Sequence, residues 1–236
     1  MKLSTTKRPF NVCPKLRGSK LENVWQRFNM ARDDWFRNED WNPAVEDAFY
    51  AKLRRARDKS QYLRIQACTL ARKEPLVALR LLDEYFTQAN QFDRAQAFVD
   101  SASAYLTLGE ADKAIASYES ALAHEEQRPS VKTNAYLELP FLIATQGLVA
   151  RYEQALALLD SHKSRLRFPV DVFRWHAAYA LIANQVGLTV VASEHAKLAL
   201  AAASRDQSGF RYHPAVGLVA DRYDQLRHQL SALLAD

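Results

Sequence analysis

The chain has 236 residues, 48% apolar and 25% charged, with a formal charge of +5, which is enough to bury a core without staples and too apolar for a disordered chain. Six glycines and eight prolines are too few for a many-stranded sheet and favour long helices. Two cysteines far apart, Cys13 and Cys68, argue against a disulfide framework and a cysteine zinc site and for a reducing compartment.

The first twenty residues hold Lys2, Lys7, Arg8, Lys15, Arg17 and Lys20 and no acid, whereas the other 26 basic residues face 27 acids. The segment lacks the apolar core of a signal peptide, and no stretch approaches the roughly 18 to 20 apolar residues of a membrane span. A cytoplasmic chain with no membrane partner and a basic arm over 1–20 is expected. Such an arm is attracted to phosphate or to an acidic surface, or is simply a solvated terminus.

From Leu21, the residues Leu21, Val24, Trp25, Phe28, Ala31 and Trp35 recur at steps of three and four, one face of a helix. Asn42-Pro43 breaks the chain, and Val45, Phe49 and Leu53 mark the apolar face of the next helix. Together these are read as capping helices over 21–58. The run "KLRRARDKS" covers an exposed end or a turn before "QYLRIQACTLAR" continues as a further helix. Glu74-Pro75 starts another, with Leu76, Leu79, Leu82 and Phe86 expected among its buried positions. "FDRAQAFVDSASAYLTL" and "ADKAIASYESALAHE" form a pair joined at Gly109. Two more pairs follow, "SVKTNAYLELPFLIATQ" with "RYEQALALLDSHKS" and "VDVFRWHAAYALIANQ" with "TVVASEHAKLALAAAS". Pro140 predicts a kink inside its helix. A last helix is expected over 215–234, with Val216, Val219, Tyr223, Leu226, Leu230 and Leu233 inward.

Ala78, Ala114, Ala155 and Ala192 recur near the start of the second helix of each pair, at a spacing typical of helical arrays. A pair cannot bury both its apolar faces alone, so each stacks on the next, and small residues let helix axes approach closely. The fold class is therefore all-α, an α-solenoid of stacked antiparallel helix pairs over 59–206, closed by a loop and capping helix over 207–236.

Phe98, Ala102, Tyr105, Gly109, Ala114, Tyr118 and Ala121 make this chain resemble the tetratricopeptide repeat family. The match is close over that one unit and loose over three others. Gln146 and Ala183 stand where the family has tyrosine, and Glu126 occupies the register of the usual proline, with Pro129 three residues later, so a longer junction follows. The resemblance implies a right-handed superhelix whose inner surface, formed by first helices, binds an extended peptide or partner helix. On that register the surface includes Gln96, Val99, Ser103, Leu106 and Thr107, then Arg174, Ala177, Leu181, Asn184 and Gln185. It contains no equivalent of the Lys/Asn/Arg set with which some family members grip a carboxylate terminus.

No catalytic or cofactor motif is present, and none of the six histidines is paired at metal-ligand spacing. No enzyme activity, cofactor or metal is expected, and His176 beside Trp175 is read as packing or groove lining. "RDDWFRNEDWNP", 32–43, with Asp33, Asp34, Glu39 and Asp40 among aromatics, is the one segment open to a hydrolytic reading. It reads better as the edge and plug of an N-terminal cap. "SGFRYHPAVG", 208–217, sets Phe210, Arg211 and Tyr212 before Pro214 as further interface anchors. The leading expectation is a non-catalytic adaptor or scaffold for a protein or peptide, alone or as an oligomer. The alternative is a nucleic-acid-associated regulatory module that uses the basic arm, with phosphate contact testable by salt.

Overall fold

Asn42 opens the first described helix: its side-chain oxygen accepts from the amides of Ala44 and Val45 at 3.1 Å, and Pro43 takes the first helical position, where its missing N–H costs nothing. The structure is a computed structural model that describes residues 34–89 and 92–234. The basic arm and the helix expected from Leu21 lie outside these residues. Everything below concerns the compact unit Phe36–Asp236, apart from Asp34.

Among the described residues there are ten α-helices and no strand. They are α1 Pro43–Leu53, α2 Lys59–Leu70, α3 Pro75–Thr87, α4 Arg94–Thr107, α5 Ala111–Gln127, α6 Ala135–Thr145, α7 Tyr152–His162, α8 Pro169–Gln185, α9 Thr189–Ala203 and α10 Asp224–Ala232. Short 3₁₀ turns, Val149–Arg151, Lys163–Arg165 and Asp221–Tyr223, lead into or out of α7 and α10. The helices pack in adjacent pairs, α2 with α3, α4 with α5, α6 with α7 and α8 with α9. First helices also touch across pairs, α2 with α4 and α6 with α8. No described helix is long and apolar enough to cross a membrane.

One local plan recurs in the pairs. Ala78, Ala114, Ala155 and Ala192 are each the fourth residue of the second helix, and none is more than 1% exposed. A larger side chain at that point would push the two axes apart. Three of the pairs are joined by the same turn. Gly109, Gly147 and Gly187 have φ of 76°, 64° and 78°, and the next residues, Glu110, Leu148 and Leu188, donate their amides back to Tyr105, Ile143 and Ala183 at 2.9, 3.0 and 2.9 Å. This is the Schellman closure, which satisfies a carbonyl at the helix end and needs a left-handed residue.

The interior has two clusters. One joins α4 to α8 through residues such as Ile115, Leu139, Ile143, Leu159 and Trp175, whose indole N–H donates to the Leu159 carbonyl at 3.0 Å. The other joins α8, α9 and α10 through Phe173, Ala196, Ala199 and Leu230. α6 continues through Pro140 without breaking. The longer junction expected before α6 is present, residues 128–134, and a buried carboxylate holds it. Glu125 accepts from the Thr133 amide at 2.7 Å and from Arg165 at 3.0 Å, while Arg165 also donates to the Thr133 carbonyl at 2.6 Å.

Two readings of the chain are corrected. In α3 the buried stripe is Ala78, Leu81, Leu82 and Tyr85, whereas Leu76 is 70% exposed. The helix carries two overlapping apolar stripes, and the one that includes the small contact residue Ala78 faces inward. The last helix starts at Asp224, well after 215, because Gly217 turns with φ 73° and its carbonyl accepts the Val170 amide at 2.9 Å. Val216 is consequently exposed.

Candidate partner-binding surface

The residues expected to line one groove fall into two groups. Arg174, Ala177 and Leu181 are buried, because α8 is flanked by α6, α7, α9 and α10 and that face is spent on the core. Arg174 donates to both carboxylate oxygens of Glu138, one at 2.7 Å, and its guanidinium lies 4.6 Å from the Phe141 ring centre. It is a strut between α6 and α8, and neither it nor Leu181 offers a partner contact. Gln96 is half-buried and donates to Asp100 at 3.0 Å, and Asp100 in turn accepts from Arg64 of α2 at 3.0 Å. Val99 packs against the larger cluster, and Ser103 is half-buried, its carbonyl accepting from Thr107. The accessible members are Leu106, Thr107, Asn184 and Gln185, all at the C-terminal ends of α4 and α8 beside the glycine turns.

Sequence reasoning missed the apolar surface that continues from there. Val186, Leu188 and Val190 are 53%, 55% and 72% exposed, with Val191 and Leu198 of α9 also exposed. Val149, in the preceding turn, is exposed as well, and Gly147 lies near enough to Gln185 that a methyl added there would sit 3.9 Å from its amide nitrogen. The turn edges of the last two pairs are therefore neighbours. Clustered apolar exposure of this kind marks an interaction surface more often than scattered residues do.

The 208–217 segment is braced by its own hydrogen bonds. Ser208 donates its amide to Pro214 at 2.8 Å and its hydroxyl to His213 at 2.9 Å. Phe210 leans on Phe168, with ring centres 5.1 Å apart. Tyr212 is 79% exposed with Arg211 beside its ring, so these two side chains project while the backbone is fixed.

His176 is drawn into a cluster that its sequence neighbours do not reveal. Its Nδ1 lies 3.2 Å from His195 Nδ1 across the α8–α9 pair, and Tyr179 stacks on His195 at 4.6 Å while donating to Asp160. Burial, then the His195 and Lys163 charges, push His176 down to about 4. Burial also lowers His195. Burial thus disfavours the charged form of both rings, whose facing nitrogens lie at hydrogen-bonding distance. Burial and the bond to Asp160 push the Tyr179 phenol up.

The acidic and aromatic segment forms an edge. Asn38 and Gln66 exchange hydrogen bonds at 2.7 and 2.9 Å, the Trp41 indole donates to Glu46 at 2.9 Å, and Trp41 meets Phe49 edge-on. Asp33 lies outside the described residues. Asp34, Glu39 and Asp40 are exposed, and the last two face Lys73 at 3.3 and 3.8 Å. Among the described residues, no group of three or more histidine, cysteine or acidic side chains is placed to hold a metal. Comparison of the chain with protein-family models, with curated proteins and with solved structures finds no match.

Proposed function

We propose that this chain is a non-catalytic adaptor, a divergent tetratricopeptide-like helical array that works in the cytoplasm and holds a partner protein against its exposed surface. The observation that carries the reading is the apolar edge of the α8–α9 pair, where Val186, Leu188, Val190 and Leu198 stay in contact with water, at a cost a monomer has no reason to bear. Support for the array comes from the alanine at the fourth position of each second helix and from the thrice-repeated glycine turn. On this reading the partner lies along the turn edge, from Leu106 and Thr107 to Asn184 and Gln185, with Tyr212 and Arg211 as outlying anchors. The deeper row through Arg174 and Leu181 serves as its foundation.

The test is affinity capture from the native host with the full chain and with a Val186→Asp, Leu188→Asp, Val190→Asp triple variant. A stoichiometric protein that the parent chain recovers and the variant loses, with equal circular dichroism, supports the reading. Recovery of no stoichiometric partner by the parent overturns it.

A further inference from the structure

The two ends of the helical pairs carry different charge. A short turn joins the helices of a pair at one end, so the chain enters and leaves the pair at the other. On the turn side the charges are matched: Glu110 pairs with Lys113 at 2.6 Å and Arg151 with Glu119 at 2.7 Å. On the junction side they are not. The α5–α6 junction, 128–134, and the α7–α8 junction, 163–168, hold Arg128, Lys132, Lys163, Arg165 and Arg167 and no acid. The connector from α9 to α10 adds Arg211.

These three stretches meet. Arg165 reaches from the second to the Thr133 carbonyl of the first, and Phe210 of the connector packs on Phe168 of the second with ring centres 5.1 Å apart. Lys132 is therefore next to one point of contact, and Arg167 and Arg211 flank the other. Arg165 is spent as the link, whereas Arg128, Lys132, Lys163, Arg167 and Arg211 are exposed and make no ion pair with a described residue. The neighbouring carboxylates are already engaged. Glu125 accepts from Thr133 and Arg165, Asp171 from the amides of Arg167 and Phe168 at 3.2 and 3.0 Å, and Asp160 from the Tyr179 hydroxyl. Glu126 and Asp206 are exposed beside the row and lower its charge without cancelling it. Clustered cations without counter-charges repel one another, and a polyanion relieves that repulsion. At the connector end of the row Tyr212 projects, 79% exposed, from the backbone that Ser208 braces.

We propose that this row of junctions binds single-stranded nucleic acid, its phosphates along Arg128, Lys132, Lys163 and Arg167 and a base stacked on Tyr212 beside Arg211. The inference goes beyond the adaptor reading and concerns the opposite end of the pairs; of that reading's residues it uses only Arg211 and Tyr212. Cations on successive junctions suit a ligand that repeats its charge along its length. An exposed aromatic ring takes an unstacked base whatever the sequence. A duplex keeps its bases stacked on one another, out of reach of Tyr212, and a run of carboxylates has no use for the ring.

The test uses the full chain and fluorescence anisotropy with a labelled single-stranded oligonucleotide of mixed sequence. A duplex of the same sequence and a poly-glutamate peptide are the comparison probes. The single strand is expected to bind most tightly, with an affinity that falls steeply as salt is added. Two double variants, Arg128→Gln with Lys132→Gln and Lys163→Gln with Arg167→Gln, should each weaken it about ten-fold. Each should also lower the slope of log affinity against log salt by about 1.4, two contacts at about 0.7 each. Tyr212→Ala should weaken binding about ten-fold and leave the slope unchanged. All five positions are exposed, and circular dichroism should be the same in every variant. No binding of the single strand overturns the proposal, as does full affinity in both double variants, the result expected if the basic arm alone held the strand. A duplex or poly-glutamate bound as tightly as the single strand overturns it too, in favour of a duplex or an acidic protein. The assay needs no protein partner, so its failure with retained capture at the α8–α9 edge removes only the nucleic-acid row, and the converse removes only the adaptor.

Discussion

The α6–α8 interior and the α8–α9 turn edge are built from the same kind of helical pair, yet they treat polar and apolar groups in opposite ways. In the interior a charge is buried and paired, as Arg174 is with Glu138. At the edge, valine and leucine are left in water. The difference follows from neighbours. α8 is covered by four other helices, whereas α9, beyond its partner α8, packs among the described helices mainly on the short α10, reached by a connector that wanders from Ser204 to Ala220. A helix packed against several others has its chemistry dictated by them, and a helix with fewer neighbours is free to keep residues for something else.

Several substitutions sharpen or break that contrast. The largest effect is expected for Leu159→Ala in the fully buried interior, a loss of about 3 kcal/mol in urea unfolding. A loss below about 1 kcal/mol would mean that the interior is looser than its packing implies. Arg174→Ala strands the Glu138 carboxylate and should cost about 2 to 3 kcal/mol, whereas the double variant Arg174→Met, Glu138→Leu, which removes both charges, should recover most of it. At the joint between the regions, Gly187→Ala forces a Cβ into left-handed backbone with open space around it and should cost about 1 kcal/mol. The histidine pair gives a pH signature of similar size. His176 titrates near 4 when folded and near 6.5 when unfolded, so its contribution is full above the unfolded value and is lost as pH falls through that window. After discounting for partial exposure, about 1 kcal/mol should disappear between pH 6.5 and 4, and His176→Gln should flatten that slope. The groups facing the pair are Lys163, Glu194, Asp160 and Tyr179. Smallest of all is Val190→Ser at the edge, expected within about 0.5 kcal/mol of the parent; a large loss would place that residue in a core and end the contrast.

The helical pairing was legible because it depends on local rules. Small residues mark crossings, and Gly109 and Gly187 mark turns. Proline marks starts, as at Pro43 and Pro75. What escaped depends on distant neighbours. The choice between the Leu76 and Ala78 stripes in α3 is made by α2 and α4, and the late start of α10 is made by the bond from Val170 to Gly217. The surface was the least legible part. The helix α8 presents residues to four other helices at once, so periodicity cannot say whether Arg174 or Leu181 faces water. The meeting of His176 with His195, nineteen residues apart, likewise needs the pairing in space.

The carboxylate of Glu125 has one more effect. Residues 129, 130 and 132 are exposed, the natural place for a protease to cut the main chain. Severing a peptide bond between Pro129 and Lys132 would leave Glu125 on one fragment and both Thr133 and Arg165 on the other, still bound through the same ionic knot and the shared interior of α5 and α6. The nicked protein would travel as a single particle in native electrophoresis and come apart as two only when denatured.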